Sequence, residues 1–76
     1  MIKGNQPENR RIGAALRKRR LARKLTQEQL AEHVPCHPTY VGMVERGQYN
    51  ISFATLYRFA KALDTTVASI ARSAKI

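Results

Sequence analysis

The chain has 76 residues, with 14 Lys and Arg against 5 Asp and Glu and a formal charge of +9. That length allows one domain with a small core, and the charge calls for a polyanionic partner, either nucleic acid or an anionic membrane. The apolar share of 43% suits a globular fold, the single Cys36 excludes an internal disulfide and suits a reducing cytosol, and no apolar run approaches the roughly 20 residues of a membrane span.

Residues 1–9 are polar, contain Gly4 and Pro7, and lack the hydrophobic stretch of a secretory leader. They are expected to form a flexible arm, leaving 10–76 as the folded domain. The first helix is expected over Arg10–Lys24. Ile12 and Leu16 are spaced by four, and Ala14 and Ala15 favour helix. Continuing that face by four reaches Arg20, a cation on an inward stripe. Arg17, Lys18, Arg19, Arg23 and Lys24 cover the rest. A run of nearly one sign repels itself unless something negative is near, so a few of these residues, Arg17 among them, are candidates for phosphate contact. The plainer reading is a solvated face.

Thr26 to Gly47, TQEQLAEHVPCHPTYVGMVERG, reads as two short helices joined by a tight turn. Thr26 is an N-cap and Gln29 completes a capping box, with Leu25 and Leu30 placed as a hydrophobic staple. The first of the two helices runs from about Gln27 to Val34, with Leu30, Ala31 and Val34 inward, and Pro35 stops it. Pro38 opens the second at N1, where its missing N–H costs nothing. That helix covers about 38–46, buries Val41 and Val44, and ends at Gly47. Helix, short break, helix is helix-turn-helix spacing. Val41 plus four is Glu45, an acid on an inward stripe. An unpaired buried charge is very costly, so Arg20 and Glu45 are expected to form an ion pair tying the first helix to the third. The alternative is that both are solvated.

Gln48–Ile51 is a loop. Ser52 caps a fourth helix running to about Leu63, with Leu56, Phe59, Ala60 and Leu63 inward and Phe53 and Tyr57 on its flank. Asp64 and Thr65 break the pattern. Thr66 caps a short fifth helix carrying Val67, Ile70, Ala71 and Ala74. The expected fold is an all-α, five-helix bundle with short loops.

The pattern Gln27, Leu30, Ala31, Val34, Val41, Val44, Glu45, Arg46, Gly47, Asn50 and Ser52 resembles the helix-turn-helix of the phage Cro and repressor proteins and the wider Xre-like regulators. The resemblance covers Ile12 to Ile70. HPTYVGMVERGQYNIS is similar in style to the controller proteins of restriction–modification systems. It implies a lambda-repressor-like bundle, carries a pair matching Arg20 and Glu45, and uses Gln27 on a phosphate. It also implies backbone contacts around Arg46, Gln48, Tyr49 and Asn50, although Arg46 and Asn50 can equally brace the loop. The region around the fifth helix often builds a symmetric dimer in this family. Val67, Ile70, Ala74 and Ile76 are the candidates here, or else they are core and terminus.

In a helix-turn-helix the second helix enters the major groove with its N-terminal residues at the base edges. Its expected outward residues are His37, Pro38, Thr39, Gly42 and Met43. Thr39 can bond a base edge or touch a thymine methyl, Pro38 and Met43 offer apolar contact, and His37 can donate or accept. Tyr40, one step around, either reaches the DNA or covers the core edge. No Arg, Asn or Gln is available for bidentate reading, so shape and phosphates should carry a larger share. Two positions depart from the family. Pro35 stands where a positive-φ glycine is usual, and proline cannot adopt that conformation. Pro38 stands where the controller subgroup often has a base-reading arginine.

Other readings are weaker. His33, Cys36 and His37 lack a fourth metal ligand and match no zinc spacing. No nucleophile–base pair or glycine-rich phosphate loop is present, so no enzyme, cofactor or small-molecule ligand is expected. The basic first helix lacks the bulky aromatics of an interfacial membrane helix. An antitoxin or adaptor binding a protein partner remains the alternative, and the absence of a long appended segment counts against it. The expectation is a double-stranded DNA-binding transcriptional regulator, a homodimer on a palindromic operator, working in the cytoplasm on the nucleoid.

Overall fold

The computed structural model describes residues 6–76. Five helices follow one another: α1 Pro7–Ala22, α2 Gln27–His33, α3 Pro38–Glu45, α4 Phe53–Ala62 and α5 Val67–Ala74. α1 begins three residues before the start expected from periodicity. Pro7 opens it and Glu8 sits in its first turn, where an acid complements the helix dipole. The expected arm is therefore helical at Pro7–Asn9, with Asn9 buried, and its residues 1–5 lie outside the described part.

Side-chain caps start four of the helices. Thr26 and Gln29 form the full capping box of α2, with bonds of 3.0 and 2.8 Å. Ser52 and Thr66 cap α4 and α5 through Thr55 and Ser69 amides, and His37 caps α3. The ends of α1, α3 and α4 share one device. A residue with positive φ, Lys24, Gly47 or Asp64, lets the following amide reach back five residues. Leu25 N–H meets the Arg20 carbonyl at 3.1 Å, Gln48 the Met43 carbonyl at 2.9 Å and Thr65 the Ala60 carbonyl at 2.9 Å, which is the Schellman pattern.

α2 ends differently because Pro35 occupies the corresponding place. The Val34–Pro35 peptide is cis and Pro35 has no positive φ. Cys36 N–H still reaches the Ala31 carbonyl at 2.8 Å. The long closing bond of the Schellman end thus survives, while the shorter one, which needs an N–H on residue 35, is absent.

Leu16, Leu30, Val41, Phe59 and Ile70 are completely buried, each from a different helix. The inward stripes read from the sequence supply Ala31, Val34, Val44, Leu56, Ala60 and Leu63, and Ala15 and Ala74 complete the buried cluster. α1 crosses α3 backbone to backbone at Gly13, where an added Cβ would lie 2.4 Å from the Val44 carbonyl oxygen and 2.6 Å from that of Glu45. On the α5 side, Arg19 donates through Nη2 to Ser69 Oγ at 2.6 Å and Ser73 Oγ at 3.2 Å. Ile70 and Ala74 are 0% and 3% exposed, inside this bundle. Of the alternatives of dimer contact or core, these two side chains are core, where they close α5 against α1 and α4. Val67 packs half-buried against the same cluster, and Ile76 is exposed.

Candidate nucleic-acid interface

α3 has two opposed stripes. Val41, Val44 and Glu45 are buried. Thr39 and Arg46 are exposed and Met43 is half-buried between them. The spacing 39, 43, 46 is one helical face, and it lies opposite the buried one. The surface left to a ligand is thus a narrow strip running from His37 and Pro38 through Thr39 and Met43 to Arg46.

What holds the strip in place is a charged lock beneath it. Arg20 Nε donates to Glu45 Oε2 at 2.7 Å and Nη2 to Oε1 at 3.1 Å. The two residues are 6% and 7% exposed. Arg20 Nη1 donates to the Leu25 carbonyl at 2.8 Å, and Gln27 Nε2 donates to Glu45 Oε1 at 3.1 Å. Each buried charge therefore has several partners, which is what makes such a pair tolerable in the interior. The network joins α1, the α1–α2 loop, the first residue of α2 and the last turn of α3.

Gln27, expected at a phosphate, is half-buried and commits one amide hydrogen to this lock; its second amide hydrogen is not part of that bond. Gly42, expected to face outward, is buried. A Cβ there would meet Arg46 Nη1 at 3.2 Å and Gln27 Oε1 at 3.4 Å. Sequence periodicity could not foresee this, because the atoms that cover Gly42 are the ends of two long side chains. The same contacts put the Arg46 guanidinium and the Gln27 amide together on one edge of α3. Arg46 also donates through Nη2 to Gln48 Oε1 at 3.3 Å.

Tyr40 turns from the strip toward α4. Its ring lies 5.2 Å from Tyr49 and 6.3 Å from the buried Phe59. Burial raises its phenol pKa first, the nearby Cys36 and Tyr49 add to the rise, and a hydrogen bond with Thr55 opposes it. Its ring thus covers the edge of the core. Cys36 is half-buried in the turn, and burial pushes its thiol up. Asn50 and Arg17 are exposed. Arg19, one of the basic run on α1, is drawn to the α5 serines instead. Among the described residues no group of three or more His, Cys, Asp or Glu could hold a metal ion, and no helix is long and apolar enough to cross a membrane.

Comparison with known proteins agrees with this geometry. The helix-turn-helix family model HTH_3 matches residues 16–70. The control protein C.SmaI of Serratia marcescens is 54% identical over 43 residues, covering 57% of this chain and 51% of that protein. The immunity repressor protein of Bacillus phage phi105 is 41% identical over 59 residues, covering 78% and 41%. The chain thus spans about half the length or less of these curated relatives. Among solved structures, the restriction-modification controller protein C.AhdI from Aeromonas hydrophila superposes with a TM-score of 0.82 at 37% identity, covering 86% of this chain and 98% of that one. With α2, the Pro35 turn and α3 inside the matched segment, the chain belongs to the Cro/C1-type helix-turn-helix family of DNA-binding regulators.

Proposed function

We propose that this protein regulates transcription by laying α3 in the major groove of a palindromic operator, as a homodimer on the nucleoid. The observation that carries this reading is the uncovered strip His37–Pro38–Thr39–Met43–Arg46, backed by a buried ion pair that fixes its angle to α1 and α2. Thr39 and Met43 face base edges, by hydroxyl and by apolar contact with thymine methyls. Arg46, Gln48 and Asn50 approach the phosphates beyond the end of α3, Gln27 those at the start of α2, and Arg17 those beside α1. Arg46 and Gln27, gathered on one edge, form the strongest phosphate contact in this reading. No enzymatic step, cofactor or small ligand enters it.

Selection from randomised duplexes tests the assignment. Thr39→Ala and Met43→Ala should change the base preferences recovered while leaving bulk affinity within a few-fold. If both variants enrich the same sequences as the wild type, α3 has been given the wrong role.

A further inference from the structure

An α-helix starts with amide hydrogens that have no partner inside the helix, and these commonly face an anion or a base. In α3 those from position 38 onward are accounted for. Pro38 has no N–H. Thr39 N–H donates to His37 Nδ1 at 3.0 Å. Tyr40 and Val41 N–H both reach the His37 carbonyl, at 3.0 and 3.4 Å. The backbone from Pro38 to Val41 therefore offers no free donor to a duplex.

The bond from Thr39 also decides the chemistry of the imidazole. A backbone N–H can only donate, so Nδ1 must accept and carries no proton. In the neutral ring the proton is then on Nε2. Nε2 lies on the far side of the ring from the capped amide, and His37 is exposed. From the sequence alone His37 can donate or accept; the cap removes that freedom.

We propose that His37 is a specificity-determining residue that presents one fixed hydrogen-bond donor, Nε2–H, to the major groove. This rests on α3 being the recognition helix. A fixed donor favours an edge rich in acceptors. Guanine, with N7 and O6 and no donor there, is the base selected first, and the cytosine amino group is rejected. Pro38 sharpens the selection by removing a competing backbone donor. Its ring also disfavours the helical conformation for His37, which sits extended at φ −73° and ψ 141° and so can cap.

Two measurements test this. In the free protein at mildly alkaline pH, imidazole 15N shifts should show the Nε2–H tautomer with Nδ1 unprotonated. Then wild type, His37→Ser and His37→Asn are compared in selection from randomised duplexes. Serine keeps the cap, so the melting temperature should hold, but it loses the outward donor. Guanine preference at one base pair per half-site should fall roughly three- to tenfold, the worth of one net hydrogen bond. Asparagine keeps the cap through Oδ1 and turns its NH2 outward, and should restore part of the preference. An Nδ1–H tautomer, or a His37→Ser protein that enriches the same bases as the wild type, overturns the assignment. A wild type that enriches no sequence at all overturns the major-groove reading itself, and this inference with it, which is a separate result.

Discussion

Arg20 and Glu45 each look misplaced on their own helix, and each removes the other's penalty. Arg20→Ala would leave Glu45 buried with only Gln27 for a partner. Breaking one side of a buried pair costs about 3–5 kcal/mol, a large part of the stability of so small a domain. Urea denaturation should show the variant unfolded or nearly so at room temperature. A midpoint close to that of the wild type would mean that the pair is solvated in practice. The spacing of four on two separate helices makes this contact readable, because a charge on an apolar stripe must find an opposite charge or leave the stripe. Gln27 is less legible. Its position matches a phosphate-binding glutamine, but its bond to Glu45 depends on where α3 ends relative to α2.

The helices meet through very different contacts. α1 and α5 use long side chains, with Arg19 bridging to two serines. α1 and α3 use bare backbone at Gly13. A methyl group there collides with main-chain carbonyls, which cannot rotate away as a side-chain tip can. Gly13→Ala should cost about 1–3 kcal/mol despite the better helix propensity of alanine. A thermal or urea titration in which the variant equals or exceeds the wild type would mean that α1 rides further from α3. Because Gly13 and Arg20 both bear on the end of α3, a variant that still folds should also bind DNA less well. The end of α2 shows how an element can keep its closing bond under another turn chemistry. Pro35 replaces the expected glycine, yet Cys36 N–H still closes on Ala31.

The described residues span 28 × 24 × 19 Å, less than the roughly 34 Å between successive turns of a DNA groove. One copy cannot reach two half-sites, so a palindromic operator needs two. With Ile70 and Ala74 consumed by the core, Phe53 and Tyr57 are the large apolar residues that share an exposed helix face, at 72% and 50% exposure. If the proposed homodimer forms, this α4 face is available for its seam. Phe53→Ser should shift sedimentation toward the monomer and weaken operator binding without unfolding the chain. A wild type that sediments as a monomer at tens of micromolar would remove the seam. The +9 charge makes a second demand at this scale. If each chain neutralises about two phosphates, affinity should fall roughly tenfold per chain between 50 and 200 mM salt. A flat salt response would contradict binding through phosphates.

Periodicity, caps and charge make most of the architecture legible: five helices, their inward faces, the turn between α2 and α3, and the Arg20–Glu45 pair. These are local signals or repeats of 3.6 residues, and the chain carries them before it folds. The start of α1 is not among them, because proline in a polar stretch suits both an arm and a first helical turn, and only packing of Asn9 separates the two. Which apolar residues of α5 remain free, whether Gly42 faces out and which way Tyr40 turns are settled by tertiary contact. Each depends on atoms brought from elsewhere in the chain or folded back along α3. No spacing within one helix encodes the distance to a neighbour that arrives only when the chain is packed.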